Sequence, residues 1–380
     1  MGKCIRSAEV ELTRRAFLSV ASTALIGCAG STSTAHKEIE IDSPRAVRRL
    51  FRPPRGNVLF IAGQGAAQIG GNPGAGWDDG YLDHIPTRPG GFTDYCSVAS
   101  GPDCAGLSRV ADLPALKDSV LHLSVGWIDD FPPLACPKEN NQLITTGAFD
   151  GNIDRLAKWC AAQPRPILMR IGYEFDRAVP FPDYHYDPAW FALGFRRIVN
   201  RLRQAGADNV STVLGSTNVS PALTVEKFNR FYPGDDYVDW LGCSMWNPTT
   251  IDHVILSEAR RRNKPVMLAE TTPTTFNIGQ SLCYPFYVGA SRTISAQAIW
   301  DGWHQPMIDF MHANRDCIAA WHYIAADWST DALWNSIPIF AHCDARPWAN
   351  PEFLAIWNRH MNASPFLQAS SNLFRELRYS

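Results

Sequence analysis

From residue 57 to residue 324 the chain alternates short apolar runs with longer segments of helical period. Eight runs have strand length: 57–63, 93–98, 119–126, 166–171, 210–215, 238–244, 265–269 and 317–324, the second being the least regular. Strands alternating with helices predict a parallel sheet with crossover helices. The clearest helix lies between the fourth and fifth runs. Asp187 suits its N-cap and Pro188 its first turn. Phe191, Phe195, Ile198, Val199 and Leu202 recur at helical spacing, and Gly206 closes it. Further helices are predicted over 150–162, 295–314 and 350–361. Eight strand–helix steps between Asn57 and Met361 predict one closed (β/α)8 TIM barrel, an α/β fold with a single domain. A doubly wound open sheet is the alternative topology.

The first 52 residues break this pattern. Thr13-Arg14-Arg15-Ala16-Phe17-Leu18 puts a twin arginine before an apolar stretch, Ala16 to Ile26, that is too short for an ordinary membrane span. Residues 1–28 read as a Tat-type signal peptide. Leu25-Ile26-Gly27-Cys28 looks like a lipobox, with Cys28 the lipidated first residue after cleavage; a plain signal peptide cut near Ala29 is the alternative. Residues 29–52, Ser/Thr-rich and then basic, read as a flexible tether. Residues 53–380 hold the folded domain. The expected location is therefore periplasmic, cell-surface or extracellular, with membrane attachment through Cys28.

Composition narrows the partners. A formal charge of −2 over 380 residues gives no electrostatic case for nucleic acid. Of ten cysteines, eight remain once Cys4 and Cys28 are set aside, and an even number in an exported chain permits disulfides. Cys96 and Cys104 bracket a short loop and are the best-placed pair, whereas Cys160, Cys243 and Cys317 fall on predicted core elements. The ten histidines are scattered and no zinc spacing occurs, so no metal site is expected. Gly63-Gln64-Gly65 follows the first strand, but Gln68 stands where a dinucleotide fingerprint needs its third glycine. A long substrate-facing loop is expected there, and no cofactor.

Two phrases carry the chemistry: Arg170-Ile-Gly-Tyr-Glu-Phe-Asp176 and Lys264-Pro-Val-Met-Leu-Ala-Glu270. In each, a strand-length run ends in glutamate. An ion at the lip of a buried strand is costly in a plain core, yet strand C-termini are where barrel enzymes gather catalytic groups. Two such carboxylates match what glycosidic bond cleavage requires, one protonated and one ionised. The structural alternative is a pair of carboxylates each neutralised by arginine. Arg170, four residues before Glu174 on the strand, is expected on the same side, holding a carboxylate ionised, most naturally Glu270. Tyr173 adjoins Glu174, and Asp176 serves as a hydrogen-bond acceptor or loop cap. Asp129-Asp130 reads as a solvated turn.

With Tyr237-Val-Asp-Trp-Leu-Gly242 before Trp246, these motifs resemble clan A glycoside hydrolases, most closely the family 26 mannanase group. The resemblance spans residues 57–361. It implies a retaining glycoside hydrolase acting on a β-linked polysaccharide or oligosaccharide, with Glu174 as acid/base and Glu270 as nucleophile. The family usually has histidine, and the wider clan asparagine, where this chain has Tyr173. A strand-eight aromatic is implied as the platform under the sugar. Alternation turns either Trp321 and Tyr323 or His322 inward, and the two aromatics are taken as the candidates. Trp127, Trp246, Asn247, Trp328 and Gln64 are further candidate sugar contacts. The rival class is a catalytically inactive cell-surface carbohydrate-binding barrel.

The export reading has a direct test. Replacing Arg14 and Arg15 with lysine should trap unprocessed precursor in the cytoplasm on fractionation, and mass spectrometry should find acylated Cys28 in the wild type.

Overall fold

The eight apolar runs form eight parallel strands: β1 (Val58–Ala62), β2 (Gly91–Ser97), β3 (Val120–Gly126), β4 (Ile167–Ile171), β5 (Val210–Ser216), β6 (Trp240–Met245), β7 (Val266–Thr271) and β8 (Ile318–Tyr323). Each pairs with the next, and β8 pairs back with β1 through Leu59↔Ala320 to Ala62↔Tyr323, closing a (β/α)8 barrel. The open sheet is excluded by that last pairing. The computed structural model describes residues 50–102, 107–127, 138–176, 186–217, 223–247, 253–285, 290–363 and 365–379. Arg14, Arg15, Cys28, Cys104, Asp129 and Asp130 lie outside them.

Helices cover the outside of the barrel where the sequence pattern asks for them. Pro188–Gln204 is capped by Asp187, whose side chain accepts from the Ala189 N–H, and its buried face is Phe191, Phe195, Ile198, Val199 and Leu202. Asp150–Ala161 and Pro351–Met361 match their expected spans. The predicted helix 295–314 is real but interrupted. Pro306 lacks an N–H and crowds the preceding turn, and Trp300–His304 is wound as a π turn in which the Gln305 N–H reaches the Trp300 carbonyl. The loop after β1 carries short helical turns at Ala66–Ile69 and Tyr81–His84.

Alternation along the strands sorts side chains into two layers. Outward residues, among them Phe60, Leu121, Leu123, Val125, Met169, Leu214, Leu268, Trp321 and Tyr323, join the large core beneath the helices. Inward residues at the base are apolar: Leu59, Val120, Leu168, Val213, Trp240 and Met267, plugged from below by Phe51, Leu373 and Leu377. Trp240 also donates its indole N–H to the Leu50 carbonyl at 2.7 Å. Leu50 and Phe51, expected in the tether, are thus part of the fold. Phe366–Leu367 runs beside the lower half of β1, pairing Val58↔Phe366 and Leu59↔Leu367.

Trp321 and Tyr323 do not face a sugar site. Trp321 is fully buried, packs on Phe60, Trp357 and Phe366, and donates to Thr271 Oγ1 at 2.8 Å. Tyr323 packs on Trp357 and donates to the Ala345 carbonyl at 2.7 Å. His322 takes the inward phase. Trp321→Ala should therefore cost about 3–5 kcal/mol of unfolding free energy, measured by urea titration, as expected for a core residue.

Candidate active site

The inward side chains change character toward the C-terminal ends of the strands. Thr93, His122 and His322 stand inside the barrel, then Tyr95, Ser124, Arg170, Ser244 and Glu270. His122 lies one register step below Arg170, since it pairs with Leu168 and Ser124 pairs with Arg170. The His122 and His322 rings meet edge to face at 5.1 Å. His322 faces the Ala269 carbonyl at 2.5 Å through Nδ1 and the Gly63 carbonyl through Nε2. Burial lowers its pKa to about 4, against the two carbonyls, which favour the protonated ring.

Glu270 reaches the interior through a fault in the strand. Ala269 already faces inward, so regular alternation would turn Glu270 toward the helices. The β6–β7 register jumps from Cys243↔Leu268 to Ser244↔Glu270, and the β8–β7 register shifts across the same stretch. This bulge resets the phase and re-aims the carboxylate. Glu174 arrives differently. β4 ends at Ile171, and Gly172 and Glu174 both take left-handed backbone conformations, φ 56° and 55°. A Cβ at residue 172 would lie 2.7 Å from both Phe191 Cε2 and Trp127 Nε1, so only glycine fits. At Glu174 the conformation costs on the order of 1–3 kcal/mol, a strain of the kind found at functional sites. Arg170 and Glu174 are therefore brought together by a turn, and the strand pleat that predicted their proximity ends before it.

Arg170 joins the two carboxylates. Its Nη1 donates to Glu270 Oε1 at 2.5 Å, and its Nη2 donates to Ser244 Oγ at 3.1 Å and lies 3.9 Å from Glu174 Oε1. Ser244 in turn donates to Glu174 Oε1 at 2.6 Å. Tyr95 adds a second donor to Glu270 Oε1 at 3.1 Å. Arg170 is 0% exposed, Glu174 4% and Glu270 7%. Burial opposes the charge on Arg170, but the neighbouring Glu270 and Glu174 outweigh it and its pKa is raised. Burial, then the charge of Glu270, pushes the Tyr95 phenol well above its usual range, so it stays a donor. Gly215 makes room for this cation, because a Cβ there would sit 2.8 Å from Arg170 Nε.

The remaining candidates divide. The Tyr173 ring lies under the Arg170 guanidinium, 5.1 Å to the centroid, and meets Tyr95 edge to face. Asp176 accepts from Ser216 Oγ at 2.9 Å and the Thr217 N–H at 2.7 Å, pinning the end of β4 to that of β5. Trp328 stacks on Trp334 and donates to Gln64 Oε1 at 2.8 Å, and half-buried Trp246 meets it edge to face at 6.0 Å. Asn247 follows Trp246 at the end of β6. Trp127 is not at the site: it is buried outside β3, stacked on Phe191. Tyr95 and Ser244 were missed by sequence reasoning; the only signal was their phase, two residues beyond Thr93 and Gly242. Among the described residues no group of three or more His, Cys, Asp or Glu side chains is placed to hold a metal.

With its closed barrel and a glutamate after the fourth strand and on the seventh, the chain is similar to glycoside hydrolases of the family 26 group. Its fold superposes on a family 26 β-mannanase from Bacteroides ovatus (TM-score 0.58, 15% identity, 85% of this chain and 94% of that one). It also superposes on a modular endo-β-1,4-mannanase from Cellulomonas fimi (TM-score 0.56, 15% identity, 83% and 73%). In sequence it is 28% identical over 313 residues to a β-1,3-xylanase from a Vibrio species and 26% identical over 339 residues to one from an Alcaligenes species. These alignments cover 79% and 86% of this chain but 65% and 68% of the relatives' length. No family model matches the chain.

Beside the site, Asp94 takes the outward phase of β2. Its Oδ1 accepts from the Tyr95 N–H at 2.8 Å, its Oδ2 has no hydrogen-bond partner among the described residues, and burial pushes its pKa up to about 7. A carboxyl whose folded pKa is raised favours folding less as it ionises, so stability falls as pH rises from about 4 to about 7. Asp94→Asn should leave the unfolding free energy at pH 4 unchanged and raise it by about 2–4 kcal/mol at pH 8, read by denaturant titration at both pH values.

Proposed function

We propose that the chain is a retaining glycoside hydrolase that cleaves a β-linked polysaccharide, with Glu270 as nucleophile and Glu174 as acid/base. The observation that carries this reading is the asymmetric sharing of Arg170. Direct contact with the guanidinium favours the carboxylate form of Glu270. Glu174 Oε1 accepts from the neutral Ser244 hydroxyl at 2.6 Å and stands 3.9 Å from Arg170 Nη2, a weaker hold by the cation that suits a group that must keep a proton and then release it.

In the first step Glu270 forms a bond to the anomeric carbon as the glycosidic C–O bond breaks, and Glu174 gives its proton to the departing oxygen. The glycosyl ester is then hydrolysed by water, whose proton passes to Glu174 as the Glu270 carboxylate leaves. Tyr95 and Arg170 orient Glu270 for attack. Trp246, Asn247 and Gln64 are the proposed sugar contacts; Trp328, read from the sequence as one of them, is 2% exposed and stacked on Trp334, and instead positions Gln64 through its indole N–H. The xylanase relatives make β-1,3-xylan the first polymer to test, with β-1,4-mannan beside it. Export by the Tat route and anchoring through Cys28 complete the proposal, and would bring the enzyme to polymers outside the cytoplasm.

Reducing-end release from a panel of β-glycans tests the activity. Glu270→Ala should abolish turnover on every substrate, with azide restoring a product of inverted anomeric configuration. Glu174→Ala should lower kcat/KM about 10²–10⁴-fold on substrates with poor leaving groups and far less on activated aryl glycosides. Saturable binding of a β-glycan without any product would instead favour a binding protein.

A further inference from the structure

Ser244 bonds to both Arg170 and Glu174, and neither motif that identified the glutamates contains it. It is fully buried on β6, inward by phase with Trp240 and Gly242, and the β7 bulge sets it opposite Glu270. Its hydroxyl has one proton, and the directions are fixed by its neighbours. Arginine can only donate, so Oγ accepts from Nη2 at 3.1 Å and spends its proton on Glu174 Oε1 at 2.6 Å.

We propose that Ser244 is the positioning residue for the acid/base in this reaction, an inference that rests on the functional reading above. Bonding at Oε1 restricts the rotation of the Glu174 carboxyl. The same bond stabilises the carboxylate that must form when the proton leaves. Arg170 holds the hydroxyl in its orientation and is itself held through Nη1 by Glu270, while the absence of a side chain at Gly215 leaves room for its Nε. With the guanidinium so confined, Ser244 transmits its polarisation to Glu174 without letting the two ions close into a direct pair.

The test compares Ser244→Ala with Ser244→Thr, which keeps a hydroxyl, after circular dichroism shows both folded. In Ser244→Ala the lost donor should move the basic limb of the kcat/KM pH profile upward by about one unit. It should lower kcat/KM about tenfold on poor leaving groups and far less on activated aryl glycosides; Ser244→Thr should restore the limb. A basic limb that stays or moves down in Ser244→Ala, or an equal loss on both substrate classes, overturns the proposal. Carbon-13 NMR titration of the glutamate carboxyls, with Glu174 assigned through Glu174→Gln, should show the same upward shift. That readout needs no turnover, so it fails or succeeds independently of whether the chain hydrolyses a glycan.

Discussion

Everything at the open end of this barrel answers to one constraint, the burial of a guanidinium where a TIM barrel ordinarily holds aliphatic side chains. Taking a cation out of water costs several kcal/mol even after relaxation. Arg170 is fully buried, and its cost is offset only if carboxylates and hydroxyls reach it in good geometry. Glu270 and Ser244 do so from β7 and β6, while the Tyr173 ring lies against it and Glu174 stands 3.9 Å off, both from the turn after β4. Glycine at 215 is the steric counterpart of this requirement. The cation thus organises three segments, β6, β7 and the turn after its own strand.

The same cation divides the barrel. Thr93 and His122 lie just below it, and beneath them the interior is aliphatic and aromatic, closed by Trp240, Phe51 and Leu377; at its level and above it is polar. The lower half supplies the burial that can tolerate a bulge in β7 and a left-handed glutamate after β4, since strain at a site persists only where the surroundings over-determine it. A rigid aliphatic base and a strained polar rim are thus two parts of one design.

Much of this was legible in the chain. The eight runs fell within a few residues of the eight strands, because buried parallel strands leave uninterrupted apolar text. The two glutamates stood out because ions at strand ends contradict a plain core, and the Arg170–Glu270 pair was anticipated for the same electrostatic reason. What failed was direction. Trp321 and Tyr323 read as sugar platforms until the phase of β8 turned them toward Trp357, and Trp127 followed Val125 outward for the same reason. A run apolar on both faces carries no mark of which face is which. Tyr95 and Ser244 were silent because hydroxyls on strands are common. The bulge that aims Glu270 was silent because a register shift depends on neighbouring strands.

The seam between β1 and β2 is where the circle is thinnest. Those strands pair only at Ile61↔Gly91 and Ala62↔Phe92, against seven registers between β2 and β3. Phe366–Leu367 fills the lower half of the gap, and β8 covers the other edge of β1. The first strand made is consequently completed by segments synthesised more than 250 residues later, pairings of very high contact order. Until those residues emerge, β1 offers bare backbone donors and acceptors to any other strand it meets. The interval of synthesis, more than the strength of the finished barrel, sets the time during which two nascent copies can pair with one another.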